Sequence, residues 1–281
     1  MKGKNKTIAI RGNYLVFNES ISSASDFVKS NDNGPVVYEV LRVIGQIPLF
    51  YEDHFKRLQN SCKLIGKSIE LDQTFVYRQL LELSRLNDFH EGNVMMSVLF
   101  TALHYEFLAY FIPHSYPNQS AYENGVEVGF LYAERTNPEA KVIQTSVREA
   151  ANEMIKSTGV FEVLLVNNDL QLTEGSRSNL FFIRDNILFT APHDKVLKGI
   201  TLYKTIEIAE SLNIEVRFGP IYMDDLKNMD AVFITGTSPK ILPVAKAGNY
   251  TYNVKHQMLM RLMLAYDVLI QKDIDQKRRL D

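Results

Sequence analysis

The sequence predicts an α/β protein built as two domains, and three observations carry that expectation. Short stretches with the two-residue period of strands are interrupted by longer ones with apolar residues three and four apart, the period of helices with one packed face. At 281 residues, 46% hydrophobic and 23% charged, the chain is long enough to bury two cores of ordinary size. The segment Pro113-His114-Ser115-Tyr116-Pro117-Asn118-Gln119-Ser120 is polar, carries two prolines and reads as a linker. The expected division is an N-terminal α+β domain over 1–113, a linker over 114–122 and a C-terminal domain over 123–281.

In the first domain, strands are expected at Thr7 to Ile10, Tyr14 to Phe17 and Val36 to Val43, the last after the turn-rich Asn31-Asp32-Asn33-Gly34-Pro35. Gly45-Gln46 fits a hairpin turn into Ile47 to Tyr51. From Tyr51 to Ile65 the period changes, with Phe55, Leu58, Cys62 and Ile65 on one helical face. His54 and Arg57 sit near each other on that helix, which suits either a solvated polar face or a functional pair. A second helix, Asp72 to Leu86, starts behind Asp72 as N-cap. Strands Val94 to Thr101 and Glu106 to Ile112 follow, joined by a loose hairpin.

The second domain opens with strand Val126 to Tyr132, an irregular piece Glu134 to Ala140 and helix Val147 to Ser157 ending near Gly159. Next comes the stretch that draws most notice. The apolar run Val163 to Val166, the turn Asn167-Asn168-Asp169 and a short strand lead to Leu172-Thr173-Glu174-Gly175-Ser176-Arg177-Ser178-Asn179-Leu180-Phe181-Phe182. Such a hairpin delivers one carboxylate, Glu174, either to the surface or into an interior where it needs a cationic partner. Strand Asn186 to Phe189, helix Ile200 to Leu212, strand Glu215 to Gly219, a short turn at Leu226, strand Ala231 to Thr235 and helix Lys255 to Lys272 complete the order.

Composition excludes several functions. With 31 Lys plus Arg against 33 Asp plus Glu, the net charge of −2 offers no basic field for nucleic acid or an anionic membrane. No span is long enough for a bilayer. Met-Lys-Gly-Lys-Asn-Lys followed only by Thr-Ile-Ala-Ile before Arg11 is not a signal peptide, and a lone Cys62 makes no internal disulfide, so a reducing cytoplasm is expected. Six scattered histidines and one cysteine supply no metal cage. A dinucleotide fingerprint, a phosphate loop ending in Lys-Ser or Lys-Thr and a Ser-centred hydrolase elbow are all missing. Two anion-competent places stand out: Lys198-Gly199-Ile200-Thr201 at a helix start, and the turn Thr235-Gly236-Thr237-Ser238.

Five ordered motifs resemble the class IV aminotransferases, the fold-type IV pyridoxal 5′-phosphate enzymes that include D-amino acid and branched-chain aminotransferases and aminodeoxychorismate lyase. They are Val37-Tyr38-Glu39-Val40; His54-Phe55-Lys56-Arg57-Leu58; Glu162-Val163-Leu164-Leu165 with Thr173-Glu174-Gly175-Ser176-Arg177-Ser178-Asn179-Leu180-Phe181; Leu197-Lys198-Gly199-Ile200-Thr201; and Gly236-Thr237-Ser238 with Pro243-Val244. The resemblance implies a D-amino acid aminotransferase-like fold with a barrel-like mixed C-terminal domain, and a homodimer. It implies that Lys141, ahead of the helix that leads to Gly159 and Glu162, bonds the cofactor aldehyde and moves the substrate proton. Glu174 would hold the pyridine nitrogen protonated, making the ring an electron sink. Arg57, Ile200, Thr201 and Thr237 would take the phosphate, and Leu197 would pack on the ring face.

The implied reaction is transfer of an amino group between a small amino acid and a 2-oxo acid. Elimination of pyruvate from an aminated cyclohexadiene acid by the same Lys141 and Glu174 is the alternative, and a catalytically idle relative a third. This chain departs from the family in three places. Gln144, Thr145 and Ser146 stand where Asn or Tyr often meets the phenolic oxygen, Leu202 stands where an arginine is common, and the strand Val94 to Thr101 carries no charge to grip a substrate carboxylate. Arg177 is the nearest substitute for that last task, or a brace for its own loop; Tyr38 and Arg42, on one face of their strand, are the next.

Overall fold

The computed structural model describes residues 9–28, 32, 34–135, 139, 141 and 145–279. The chain divides into two compact units, residues 1–115 with 276–281 and residues 116–275. The first is an antiparallel sheet in the order β2-β1-β6-β5-β3-β4, formed by β1 (Arg11–Phe17), β2 (Ser20–Ser23), β3 (Val36–Ile44), β4 (Ile47–Pro48), β5 (Glu91–Phe100) and β6 (Tyr105–Ile112). Helices α1 (Tyr51–Leu64) and α2 (Gln73–Leu86) pack on it. Helix α1 buries Tyr51, His54, Phe55, Leu58, Ser61 and Cys62 at the expected spacing. Asp72 caps α2, its side chain accepting from Phe75 N–H at 2.6 Å.

The second unit holds α3 (Gln119–Asn124), β7 (Val126–Tyr132), α4 (Thr145–Thr158), β8 (Glu162–Val166), β9 (Gln171–Gly175), β10 (Asn179–Arg184), β11 (Ile187–Thr190), α5 (Ile200–Ser211), β12 (Val216–Phe218), β13 (Ile221–Tyr222), β14 (Ala231–Gly236), β15 (Lys240–Ala247), β16 (Tyr250–Thr251) and α6 (Gln257–Arg278). The sheet order is β12-β11-β10-β14-β15-β7-β8-β9-β13, with β16 beside β15. It is mixed: β7 runs parallel to both β8 and β15, and β11 parallel to β12. Strands β8, β10 and β14 sit inside the core, which explains their near-continuous apolar runs. Phe181 and Phe233 face each other across β10 and β14 and stack at 5.1 Å.

Several elements differ from the sequence expectation. Thr7 and Ile8 lie outside the described residues, and the first strand begins at Arg11. Strand β2 was not expected; it turns back at Asn18, whose φ of 51° suits an asparagine. The second half of the expected linker is helix α3, nucleated by Asn118 accepting from Ala121 N–H at 2.9 Å. Strand β15 was missed because Pro243 lies in its middle, and proline argues against an interior strand. Helix α6 extends to Arg278, and its last residues belong to the first unit, where Lys277 donates to the Pro48 carbonyl at 3.0 Å.

Candidate active site

In the second unit, the β8–β9 hairpin brings Glu174 to the end of β9, where it is 3% exposed. The buried alternative for this carboxylate is therefore the correct one. Leu197 N–H donates to its Oε2 at 3.0 Å. Arg135 Nε stands 3.1 Å from Oε1, a charge contact more than an aligned hydrogen bond, while the same guanidinium donates through Nη2 to the Ser176 carbonyl at 2.5 Å. Burial raises the Glu174 pKa; Arg135, the Leu197 amide and the Lys141 ammonium oppose it, and Glu162 adds to it. Lys141 thus acts electrostatically on Glu174. Gln144, in the piece expected to meet a phenolic oxygen, lies outside the described residues, as does the side chain of Thr145.

A cavity of about 130 Å³ opens beside Glu174, with Arg135, Thr173, Asp194 and Lys195 among its walls.

Helix α5 supplies the anion end. Gly199 is its N-cap and has no side chain with which to cap the first amides, Ile200 and Thr201 among them. Gly199 is required there: a Cβ would stand 2.0 Å from Asn179 Oδ1, the side chain that donates from Nδ2 to the Leu197 carbonyl at 2.8 Å. Opposite Asn179 across the sheet is Thr235, whose hydroxyl is fully buried with no hydrogen-bond partner among the described residues. An orphaned hydroxyl beside an uncapped helix start is what an anion would satisfy. Thr237 follows in the turn after β14. Lys198 is ion-paired with Glu139 at 2.5 Å. A buried carboxylate, a lysine acting on it and an uncapped helix start therefore fit the pyridine nitrogen, aldehyde and phosphate of pyridoxal 5′-phosphate.

In the first unit, Arg57 is not on a solvated face. Its Nε and Nη2 donate to the two oxygens of Glu39, both at 2.7 Å, and His54 Nδ1 lies 2.7 Å from Oε2. Glu39 is 0% exposed; burial works against its charge, yet Arg57 and His54 prevail and hold it down to about 2. Glu39 fixes the guanidinium in one orientation. Tyr38 is buried on the opposite face of β3, and Arg42 on that face is engaged by Glu91.

Arg177 is exposed and its Nη2 donates to Asn152 on α4, the geometry of the brace, one of the two roles expected of it. Sequence reasoning missed Arg135, Glu39 as the holder of Arg57, and Glu162 as a partner of the signature turn. Their partners lie on other elements far along the chain, and only the aromatic-Glu and Gly-x-x-Glu patterns hinted at two of them.

Comparison with known proteins places this geometry. The family model for amino-transferase class IV matches residues 36–247. The chain is 27% identical over 236 residues to a D-alanine aminotransferase of Bacillus licheniformis, covering 78% of this chain and 81% of that one. It is 28% identical over 251 residues to a probable branched-chain-amino-acid aminotransferase of Thermotoga maritima, 86% and 87% of the two chains. In fold it is similar to the branched-chain amino acid aminotransferase of Escherichia coli, with a TM-score of 0.84 at 21% identity over 92% and 95% of the chains. A putative 4-amino-4-deoxychorismate lyase from Legionella pneumophila shares the fold with a TM-score of 0.77 at 21% identity, over 87% and 97%.

Proposed function

The chain belongs to the class IV aminotransferase family, and on that premise we propose that it moves an amino group between a small amino acid and a 2-oxo acid with pyridoxal 5′-phosphate. The observation that carries the reading is Glu174, a carboxylate 3% exposed with the Lys141 ammonium acting on it. The cofactor, when bound, supplies an aldehyde for the substrate amine and a ring that withdraws electrons.

The chain's own groups then divide the work. Glu174 accepts the hydrogen bond of the ring nitrogen and keeps it protonated. Arg135, with its Nε 3.1 Å from Oε1, opposes the burial that raises the Glu174 pKa and so favours the charged carboxylate. Lys141 would hold and move the proton of the substrate α-carbon at its Nζ. Ile200 and Thr201 would bind the phosphate at the start of α5 with Thr237, and Leu197 would pack on the ring. We place the enzyme in the cytoplasm as a homodimer, a reading that rests on composition and on the family resemblance.

Mixing the cofactor-loaded protein with single amino acids tests the reaction. Transamination converts the aldehyde form of the cofactor to the amine form with one equivalent of oxo acid. Pyruvate released with the cofactor returned unchanged would identify the elimination chemistry instead.

A further inference from the structure

A second buried carboxylate lies next to the one assigned to the ring nitrogen, and the proposed chemistry gives it no task. Glu162, on β8, is 4% exposed. It collects its donors from one turn: Ser176 Oγ at 3.2 Å and Arg177 N–H on Oε1, and Ser178 Oγ at 2.9 Å on Oε2. The turn closes by Gly175 N–H donating to the Ser178 carbonyl at 2.8 Å, and is tied to β8 by Ser176 N–H donating to the Val163 carbonyl at 2.9 Å. Position 175 must be glycine, because a Cβ there would stand 2.2 Å from Ser178 Oγ and 2.8 Å from Glu162 Oε1.

Each residue of Gly175-Ser176-Arg177-Ser178 is therefore fitted to the same carboxylate. Glycine gives the close approach, the two serines give hydroxyl donors, and position 177 gives its amide. Three donors on a buried carboxylate offset much of its desolvation. They engage both oxygens, three of the carboxylate's roughly four acceptor positions.

We infer that Glu162 is a positioning residue: its carboxylate clamps the turn Gly175–Ser178 and thereby fixes the attitude of Glu174, the residue immediately before the turn. The inference rests on the reading that Glu174 meets the cofactor ring. Arg135 holds the same turn from the other side, through the Ser176 carbonyl at 2.5 Å, so the path from β8 to the Glu174 carboxylate is braced at both edges. A second consequence is electrostatic. The Glu162 charge raises the Glu174 pKa, so the clamp also biases the neighbouring carboxylate.

Two variants separate clamp from charge. Glu162→Gln keeps an acceptor for Ser176 and Arg177 and lets the Ser178 hydroxyl rotate to accept from the new amide. Cofactor affinity should stay within about threefold, while the pH midpoint of the bound cofactor's absorbance moves down because a negative charge that favours its protonated form is gone. Glu162→Leu removes the clamp, and kcat and cofactor affinity should each fall about 10- to 100-fold, the range seen when a buried partner that orients a metal ligand is removed. Deuterium uptake in the peptide 172–182 of the cofactor-free protein should rise with it. If Glu162→Leu does not fold, Ser176→Ala combined with Ser178→Ala removes two donors and should raise the same uptake and weaken cofactor binding. Inactive Glu162→Gln with unchanged cofactor affinity would make the residue an acid–base group and overturn the inference. So would unchanged uptake and affinity in the leucine variant or the double serine variant. Should the unaltered protein bind pyridoxal phosphate and convert no amino acid, the proposed reaction fails, while uptake and affinity still decide the clamp.

Discussion

Replacing Glu39 by glutamine should cost this protein a measurable part of its stability, and the size follows from the geometry. The carboxylate is 0% exposed and takes both forks of Arg57 and the ring nitrogen of His54 at 2.7 Å each. Burial alone would raise its pKa, but the Arg57 charge and the side-chain contacts of His54 and Arg57 lower it from 4.5 to about 2. At about 1.4 kcal/mol per pH unit, that depression corresponds to roughly 3 kcal/mol, a large share of the ~5–15 kcal/mol that holds a typical native protein together. The sign is fixed by the direction: a carboxyl depressed on folding contributes its stability in full above its unfolded value near 4.5, and loses it as pH falls toward 2. Glu39→Gln also leaves the Arg57 charge facing a neutral amide, which breaks a buried pair from one side. Urea unfolding followed by far-ultraviolet circular dichroism, at pH 7 and at steps down to pH 3, measures both effects. The variant should unfold at lower urea at pH 7, and the gap should narrow as the unaltered protein loses its advantage in acid. Equal midpoints at pH 7, or a gap that persists undiminished to pH 3, would refute the reasoning.

Glu174→Gln should leave the cofactor bound and slow the conversion of amino acid by about 10²- to 10⁴-fold, the range for a lost acid–base contribution; single-turnover absorbance checks it, and unaltered turnover would make the carboxylate structural. Arg135→Met removes the charge that opposes burial at Glu174, so the Glu174 pKa rises further and the pH profile of kcat should shift its acidic limb upward; an unmoved limb would take Arg135 out of the account. Arg177→Met should change KM for the amino acid by less than about twofold, since the side chain is exposed and reaches Asn152; a steep rise in KM for the amino acid, absent for a neutral amine donor, would restore Arg177 as the substrate's carboxylate partner.

The sequence made the two-period alternation of this chain readable, and with it α1, α2, β7 and α5 nearly to the residue, because their apolar spacing and caps are local. Glu174 could be placed at a strand end by the same means, and the family motifs then gave it a role. What the sequence concealed is long-range. Arg135 reaches Glu174 and Ser176 from a different strand end, and no neighbour of Arg135 in sequence marks it out. Glu162 explains the serines of the signature turn only once the β8–β9 hairpin folds them together. Arg177 could not be assigned from sequence because its partner, Asn152 on α4, is 25 residues away in the chain. Strand β15 was hidden by Pro243, which pairs opposite Phe233 at a position where its missing N–H does no harm.

The central claim, that Lys141 carries the cofactor with Glu174 beside it, is most directly tested by loading the protein with pyridoxal 5′-phosphate, reducing with borohydride and mapping the labelled peptide by mass spectrometry. The account predicts a single stable label on Lys141, formed in the Glu174→Gln variant as well. A label on Lys156 or Lys198, or none in a protein that binds the cofactor, would contradict it.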